Sequence, residues 1–421
     1  MIKKHDHKTA KETAKSTYTN RLRNILKSKL SARNMTKAIN TYATAVLTYT
    51  FGVIRWTATE LEDLNRKTRK EFRKYRAHHP QSAVERFHLP RNQGGRGIPN
   101  IRTRHQGQIT NLRKYFHEKA ATSKLHRAIV SADKNLTPLR LADNNYGPAE
   151  EVQTAQESKA KWRSKPLHGR YLNTIESEAM DTEGSTTYLR TGNLFIETEG
   201  FIAALQDQVV STKIYRRNIL KEQVDNAKCR MCGEKDEYLD HILSGCSVLA
   251  PKAYLDRHNR VAGIVHQNLR VEYMGLTETT PYYQYTPQPV YETENALLYW
   301  NRPIITDRTI PNNIPDIVLT LKNEKRTYII DIAVPLPSNI MKTHAEKINK
   351  YLPLADEIKK MWKMESVTIV PIVVGATGEI PHKLHAGLKT LKLQNGLYIP
   401  IQKSVLLDTC SIVRRVLGDQ E

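Results

Sequence analysis

The apolar positions of this chain change rhythm along its length. In residues 36–50, Ile39, Tyr42, Ala43, Val46 and Leu47 recur at i, i+3, i+4, i+7 and i+8, which predicts a helix with one buried face. Next, Thr57-Ala-Thr-Glu60 has the spacing of a capping box, whose hydroxyl and carboxylate satisfy free backbone N–H groups at a helix start. The helix it opens is predicted to run through RKTRKEFRKYRAHH and to end at Pro80. Residues 145–195 are polar without a sustained period and read as a connector with some helix. The Tyr- and Pro-rich stretch TTPYYQYTPQPVYET at 279–293 reads as a second connector. From about residue 294 the period becomes that of strands, in PDIVLTL and RTYIIDIAV. A helical segment at 343–362, the strand VTIVPIVVG, and Leu384, Leu388 and Leu391 at helical spacing follow. Strands alternating with helices predict an α/β domain.

A chain of 421 residues exceeds what one hydrophobic core usually holds. We expect a basic helical region over 1–125, a polar, partly helical connector over 126–205, a cysteine–histidine region with its linker over 206–290, and the α/β domain over 291–421.

Charge sharpens this division. The net charge is +22, and residues 1–120 hold 27 Lys and Arg against 8 Asp and Glu, a net of +19. Such an excess favours a polyanionic partner. Arg66, Arg69, Lys70, Arg73, Lys74 and Arg76 crowd into the predicted helix, where mutual repulsion is relieved by a phosphate backbone or by bulk solvent. The glycine cluster GGRG at 94–97 fits neither a P-loop nor a dinucleotide fingerprint and reads as a loop. No apolar run reaches the roughly 20 residues that span a bilayer, and the opening segment lacks a secretory apolar core. The expectation is a soluble, intracellular chain with no membrane partner.

Of four cysteines, three lie close to one histidine in the spacing Cys229-x2-Cys232-x8-His241-x4-Cys246. Three thiolates and an imidazole are the ligand set of a closed, tetrahedral structural Zn²⁺ site. Gly233 is expected to relieve the tight turn after CRMC, and a short helix to return His241 and Cys246 to the ion. Cys410 stands alone and is expected to be a buried, inert thiol.

A second constellation comes from the strands. A two-residue hairpin turning at Asn323-Glu324 pairs residues whose numbers sum to 647, and Asp316 and Asp331 meet that condition. Two carboxylates facing each other are unfavourable unless a cation lies between them. Mg²⁺ binds through such a pair together with phosphate oxygens, which suits phosphodiester cleavage. Nucleases of this kind usually carry a lysine two residues after the second acid, but that position is Ala333. Lys347, Lys350 and Tyr351, on one face of the next helix, could lean over the pair instead, although Glu346 and Lys350 could equally form a surface pair.

Taken together, CRMC…HILSGC, PDIVL, IIDIAVP, EKINKYLPLADEIKKMW and VTIVPIVVG resemble the C-terminal end of non-LTR retrotransposon polyproteins that carry a restriction-like endonuclease. The segment from TYATAVL to GGRGIPNI resembles the thumb that follows the reverse transcriptase palm in those proteins. The resemblance implies a multi-domain chain with a mostly α-helical, thumb-like N-terminal half, a small zinc knuckle and a C-terminal α/β restriction-endonuclease-like PD-(D/E)xK domain. It implies that Asp316 and Asp331 bind catalytic Mg²⁺ or Mn²⁺. Lys347 or Lys350, in a K-x-x-K-Y pattern with Tyr351, would replace the strand lysine, and Cys229, Cys232, His241 and Cys246 would hold structural Zn²⁺. The implied partners are target DNA and element RNA, with no small-molecule substrate, in a nuclear setting. No adjacent aspartates of the polymerase YxDD type occur, so polymerase chemistry is not expected of these residues, and the chain reads as a truncated element or the downstream piece of an interrupted frame. The alternative is a catalytically silent, zinc-containing nucleic-acid-binding protein derived from such an element.

Overall fold

The computed structural model describes residues 7–143, 154–277 and 279–418. The chain divides into two compact units, one of residues 1–169 with 193–207 and the other of 170–192 with 208–421. The first is helical and the second is built on a mixed sheet. Among the described residues no helix is long and apolar enough to cross a membrane.

In the first unit, α1 (His7–Lys27) buries Ala14, Tyr18, Leu22 and Leu26, one side chain per turn, in a core with Met35 and Ile39. Helix α2 (Ala58–Lys74) adds Leu61, Leu64 and Phe72 to that core. The capping box of α2 forms as expected: the Glu60 N–H donates to Thr57 Oγ1 over 3.2 Å, and Glu60 Oε2 accepts from the Thr57 N–H over 2.9 Å. The end of α2 corrects the expectation, because the helix stops at Lys74 rather than at Pro80. Arg76 takes the left-handed conformation (φ 53°), the Ala77 N–H reaches the Phe72 carbonyl over 2.8 Å, and the Arg76 N–H reaches the Arg73 carbonyl over 3.0 Å. This closure satisfies the last carbonyls before proline has any effect.

Residues 36–50 also depart in one detail. Ile39, Ala43 and Leu47 are buried and Val46 is half-buried, but Tyr42 is 63% exposed. The turn Ile39–Ala43 is π-helical, and its wider i→i+5 bonding advances the buried face by four residues and rotates Tyr42 outward.

Two arginines of this unit, Arg86 and Arg96, lie inside it. Glu199, 1% exposed, accepts from Arg96 Nε over 2.7 Å and from Arg91 Nη1 over 3.1 Å, and Arg86 pairs with Asp207 over 3.0 Å. The GGRG loop makes this possible. A Cβ on Gly95 would lie 2.0 Å from the Leu89 carbonyl oxygen, so only glycine lets the chain pass there and turn Arg96 inward.

The second unit holds a five-stranded sheet in the order β1 (Val290–Glu292), β2 (Ala296–Trp300), β3 (Ile317–Leu321), β4 (Arg326–Ala333), β5 (Ser366–Val373). All neighbours are antiparallel except β4 and β5, which are parallel across the helical crossover α4 (Ile340–Met361). One sheet face, with Leu319, Ile330 and Ile372, packs on α3 (Leu255–Met274), α5 (His382–Thr390) and α6 (Tyr398–Leu417). The other, with Val318 and Ile329, packs on Leu354 and Ile358 of α4. Burial on both faces explains the near-continuous apolar runs of β3 and β4. Strands β1 and β2 and helices α3 and α6 lie outside the elements the patterning predicts.

The polar stretch 145–195 is more than a connector, although residues 145–153 lie outside the described ones. Residues 170–192 belong to the second unit and bury Leu172, Ile175, Tyr188 and Leu189. Gln402 Nε2 donates to the Gly184 carbonyl over 3.0 Å, and the Ile380 N–H donates to Ser185 Oγ over 2.9 Å. The stretch 279–293 likewise ends in β1 rather than in a linker.

Candidate functional site

The β3–β4 register has the predicted sum, Ile317 pairing with Ile330 and Leu321 with Arg326, but the strands are joined by a four-residue turn at 322–325 rather than a two-residue hairpin, centred on the same bond. Asp316 sits at the mouth of β3 and Asp331 lies within β4, on the side of the sheet that faces α4. That helix is fixed in rotation by Tyr351, Leu354 and Ile358, all fully buried, and each apolar side chain so placed contributes about 1.5–3 kcal/mol. Lys347 is four residues before Tyr351, so the packing that seats the helix also aims Lys347 at the strand. Its Nζ lies 2.5 Å from Asp331 Oδ2, and Lys350 Nζ lies 3.9 Å from Asp331 Oδ1. Glu346 pairs with Lys342 over 3.7 Å rather than with Lys350. Lys350 Nζ also donates to the Tyr351 hydroxyl over 2.9 Å, and that hydroxyl donates to the Ile314 carbonyl over 3.2 Å. Burial raises the pKa of Tyr351, and the neighbouring charges of Asp331 and Asp316 raise it further, so the phenol stays protonated. Ala333, two residues after Asp331, packs with Ile340 and Val373.

One residue of this site was invisible in the patterning. His258, on α3, places Nε2 3.0 Å from Asp316 Oδ2, the oxygen that also accepts from the Ile332 N–H over 2.7 Å. Neither contact engages Asp316 Oδ1. Burial disfavours ionised Asp316, but the hydrogen bond and charge of His258, the Ile332 N–H and the charge of Lys347 hold its carboxyl below the usual range. Burial likewise opposes protonation of His258, and Asp316, with Asn259 and Asp331, overcomes it and raises the imidazole pKa. The donor set suits a hard cation, which needs one or two carboxylates and completes its shell with water and phosphate oxygens.

The Cys229, Cys232, His241 and Cys246 ligand atoms all lie within 4.8 Å of one another, close enough to share a metal ion. Cys232 Sγ is 3.4 Å from His241 Nε2. Metal–sulfur and metal–nitrogen bonds of about 2.3 and 2.0 Å place adjacent ligands of a tetrahedron roughly 3.5 Å apart, so the arrangement fits. Gly233 is left-handed (φ 69°), and its N–H closes the turn onto the Cys229 carbonyl over 2.8 Å. The Lys235 and Glu234 N–H groups bring the Cys232 thiol down to about 6, readying a thiolate. His241 and Cys246 return through the π-helical turn His241–Gly245. Beneath the cluster, fully buried Glu237 accepts from the Arg230 N–H over 3.0 Å and its guanidinium over 2.9 Å, bracing the CRMC loop. Cys410 is buried, and desolvation pushes its thiol up to about 12, as an inert core residue requires.

The basic stretch does not form one uniform face. Arg66, Lys70, Arg73, Lys74 and Arg76 are exposed, whereas Arg69 is held between Glu62 at 3.3 Å and His88 at 3.4 Å. Arg66 pairs with Asp63, Lys74 lies 3.2 Å from Glu71, and Arg73 donates to the Pro80 carbonyl over 3.1 Å. A cleft of about 890 Å³ in this unit sets Arg69 beside Arg102, Arg104 and Lys161.

Compared with known proteins, the chain matches no family model and no curated protein.

Proposed function

We propose that this chain is a retrotransposon-type DNA endonuclease whose second unit nicks DNA with Mg²⁺ or Mn²⁺ held by Asp316 and Asp331, and whose Cys229–Cys232–His241–Cys246 cluster binds structural Zn²⁺. The observation that supports the reading is the β3–β4 register, which pairs Ile317 with Ile330 and so brings Asp316, just before β3, towards Asp331, whose carboxylate lies 2.5 Å from the Lys347 ammonium. On binding, the divalent ion supplies Lewis-acid activation of water and charge neutralisation at the phosphate. Asp316 would offer Oδ1 to it while His258 and Ile332 hold Oδ2. Lys347, on Asp331, is positioned to stabilise charge on the phosphate oxygens, and Tyr351, a protonated phenol, holds Lys350 at the rim. The exposed Arg66, Lys70, Arg73, Lys74 and Arg76 would engage DNA or RNA phosphates without reading bases. Four protein ligands close the zinc shell, so zinc supports fold. Polymerase activity is no part of this reading, since the chain carries no adjacent palm aspartates.

One observation favours the second reading, a silent nucleic-acid-binding protein: each carboxylate already has an internal partner, the Lys347 ammonium on Asp331 and the His258 imidazole on Asp316. Supercoiled plasmid incubated with the chain and Mg²⁺, beside Asp331→Ala, separates the two. Nicking by the parent alone supports the nuclease. Salt-sensitive DNA binding by both proteins with no nicking by either supports the silent protein.

A further inference from the structure

Arg257 and His258 are neighbours on α3, and each grips a different part of the second unit. The π-helical turn His241–Gly245 cannot satisfy all its carbonyls internally. Side chains from the following segment do so. The Tyr254 hydroxyl lies 2.7 Å from the Ile242 carbonyl and 3.1 Å from that of His241, and Arg257 Nη2 donates to the Leu243 carbonyl over 2.8 Å. The same guanidinium, 2% exposed, donates through Nη1 to Thr409 Oγ1 over 3.0 Å, and the Thr409 hydroxyl donates in turn to the Ala376 carbonyl over 2.8 Å. Nη2 also lies 3.5 Å from the Val334 carbonyl, three residues beyond Asp331. The next residue, His258, holds Asp316.

We propose that Arg257 and His258 form a positioning strut through which metal-imposed order in the Cys229–Cys246 cluster is transmitted to the carboxylate pair. The strut rests on the zinc reading above, and its consequence for nicking rests on the nuclease reading. A guanidinium is a rigid planar fork of donors, so fixing the Leu243 carbonyl also fixes the direction of the bonds to Thr409 and Val334. Burial excludes the water that would replace a missing acceptor, so the turn and the end of β4 move together or leave a cation under-satisfied. His258 shares the backbone of Arg257, and any rotation of α3 that loosens one shifts the other against Asp316.

The test is amide hydrogen exchange on the full chain, with zinc and after chelation. Chelation is expected to speed exchange about tenfold in peptides covering 241–246 and 331–336, with little change in 296–300. Arg257→Met in excess zinc should show fast exchange at 331–336 that chelation no longer alters, and Arg257→Lys should recover part of the protection. His258→Asn should raise the Mg²⁺ concentration for half-maximal nicking about tenfold while zinc content is kept. Exchange at 331–336 that ignores chelation overturns the strut, as does a uniform loss of protection across the second unit, which would make zinc a general clamp. If the parent does not nick but the exchange coupling is present, the nuclease reading fails and the strut stands. If the parent nicks and exchange is uncoupled, only the strut fails.

Discussion

Replacing Lys347 by Met should abolish most nicking, and replacing Lys350 should not. The two ammonium groups approach Asp331 to 2.5 and 3.9 Å. Coulomb attraction falls as the inverse of distance, so the closer pair is favoured by a factor of roughly 1.6 at equal dielectric. Solvent widens the gap, because the Lys350 side chain is 36% exposed against 24% for Lys347. Lys350 is also shared with the Tyr351 hydroxyl. Loss of one preorganised charge-stabilising group commonly lowers turnover by about 10²–10³-fold, which is the loss expected for Lys347→Met, while Lys350→Met should lose less than about tenfold. Lys347→Met also strips buried Asp331 of its nearest partner and should lower unfolding stability by about 1–3 kcal/mol. Single-turnover nicking at saturating DNA, well below both melting transitions, separates chemistry from folding, and a gel-shift assay in parallel should show equal DNA binding. Equal losses for the two variants, or a larger loss for Lys350→Met, would refute the assignment.

Cys229→Ser should release stoichiometric zinc in a colorimetric assay and lower the thermal midpoint, since metal-binding energy is folding energy for a site of this kind. Glu199→Gln leaves half-buried Arg91 and buried Arg96 without their carboxylate and should cost about 3–5 kcal/mol by urea unfolding. Burial works against ionised Glu199, but the two arginines hold its pKa below the ordinary 4.5. Its contribution is therefore fully present above the unfolded value and is lost as pH falls through the lower folded value, which a pH series of unfolding midpoints would reveal. Neutralising Arg66, Lys70 and Arg73 together should weaken DNA binding evenly across sequences and flatten the salt dependence by about one unit of slope for each phosphate that is no longer neutralised.

The parts of the site that could be read from sequence are those whose partners lie close along the chain or obey a short period. The Asp316–Asp331 register follows from one turn, the Lys347–Tyr351 face from helical spacing, and the Gly233 turn from the CRMC gap. His258 could not be found this way. It lies 58 residues before Asp316 and on another element, and nothing local distinguishes it from its neighbour Asn259. Tyr42 was misplaced because a π-helical turn breaks the 3.6-residue period on which the expectation rested. Residues 170–192 looked like a connector because their buried side chains are single aromatics and aliphatics set among polar residues. Their burial depends on Gln402 and Ile380, some two hundred residues away, which no window can see.

The two outermost strands bear on how the protein behaves in a crowded solution. A sheet edge presents unpaired N–H and C=O groups on which a strand of another molecule can dock, the first step of edge-to-edge aggregation. Here β1 is only three residues long, and β5, whose second half Val370–Val373 is buried in the folded protein, carries Pro371, which has no N–H to offer an incoming chain while that edge is still uncovered during folding. A folding intermediate that has assembled this sheet would thus be a poor template for strand addition, and Pro371→Thr should make the protein more prone to aggregate during refolding while leaving the zinc cluster intact.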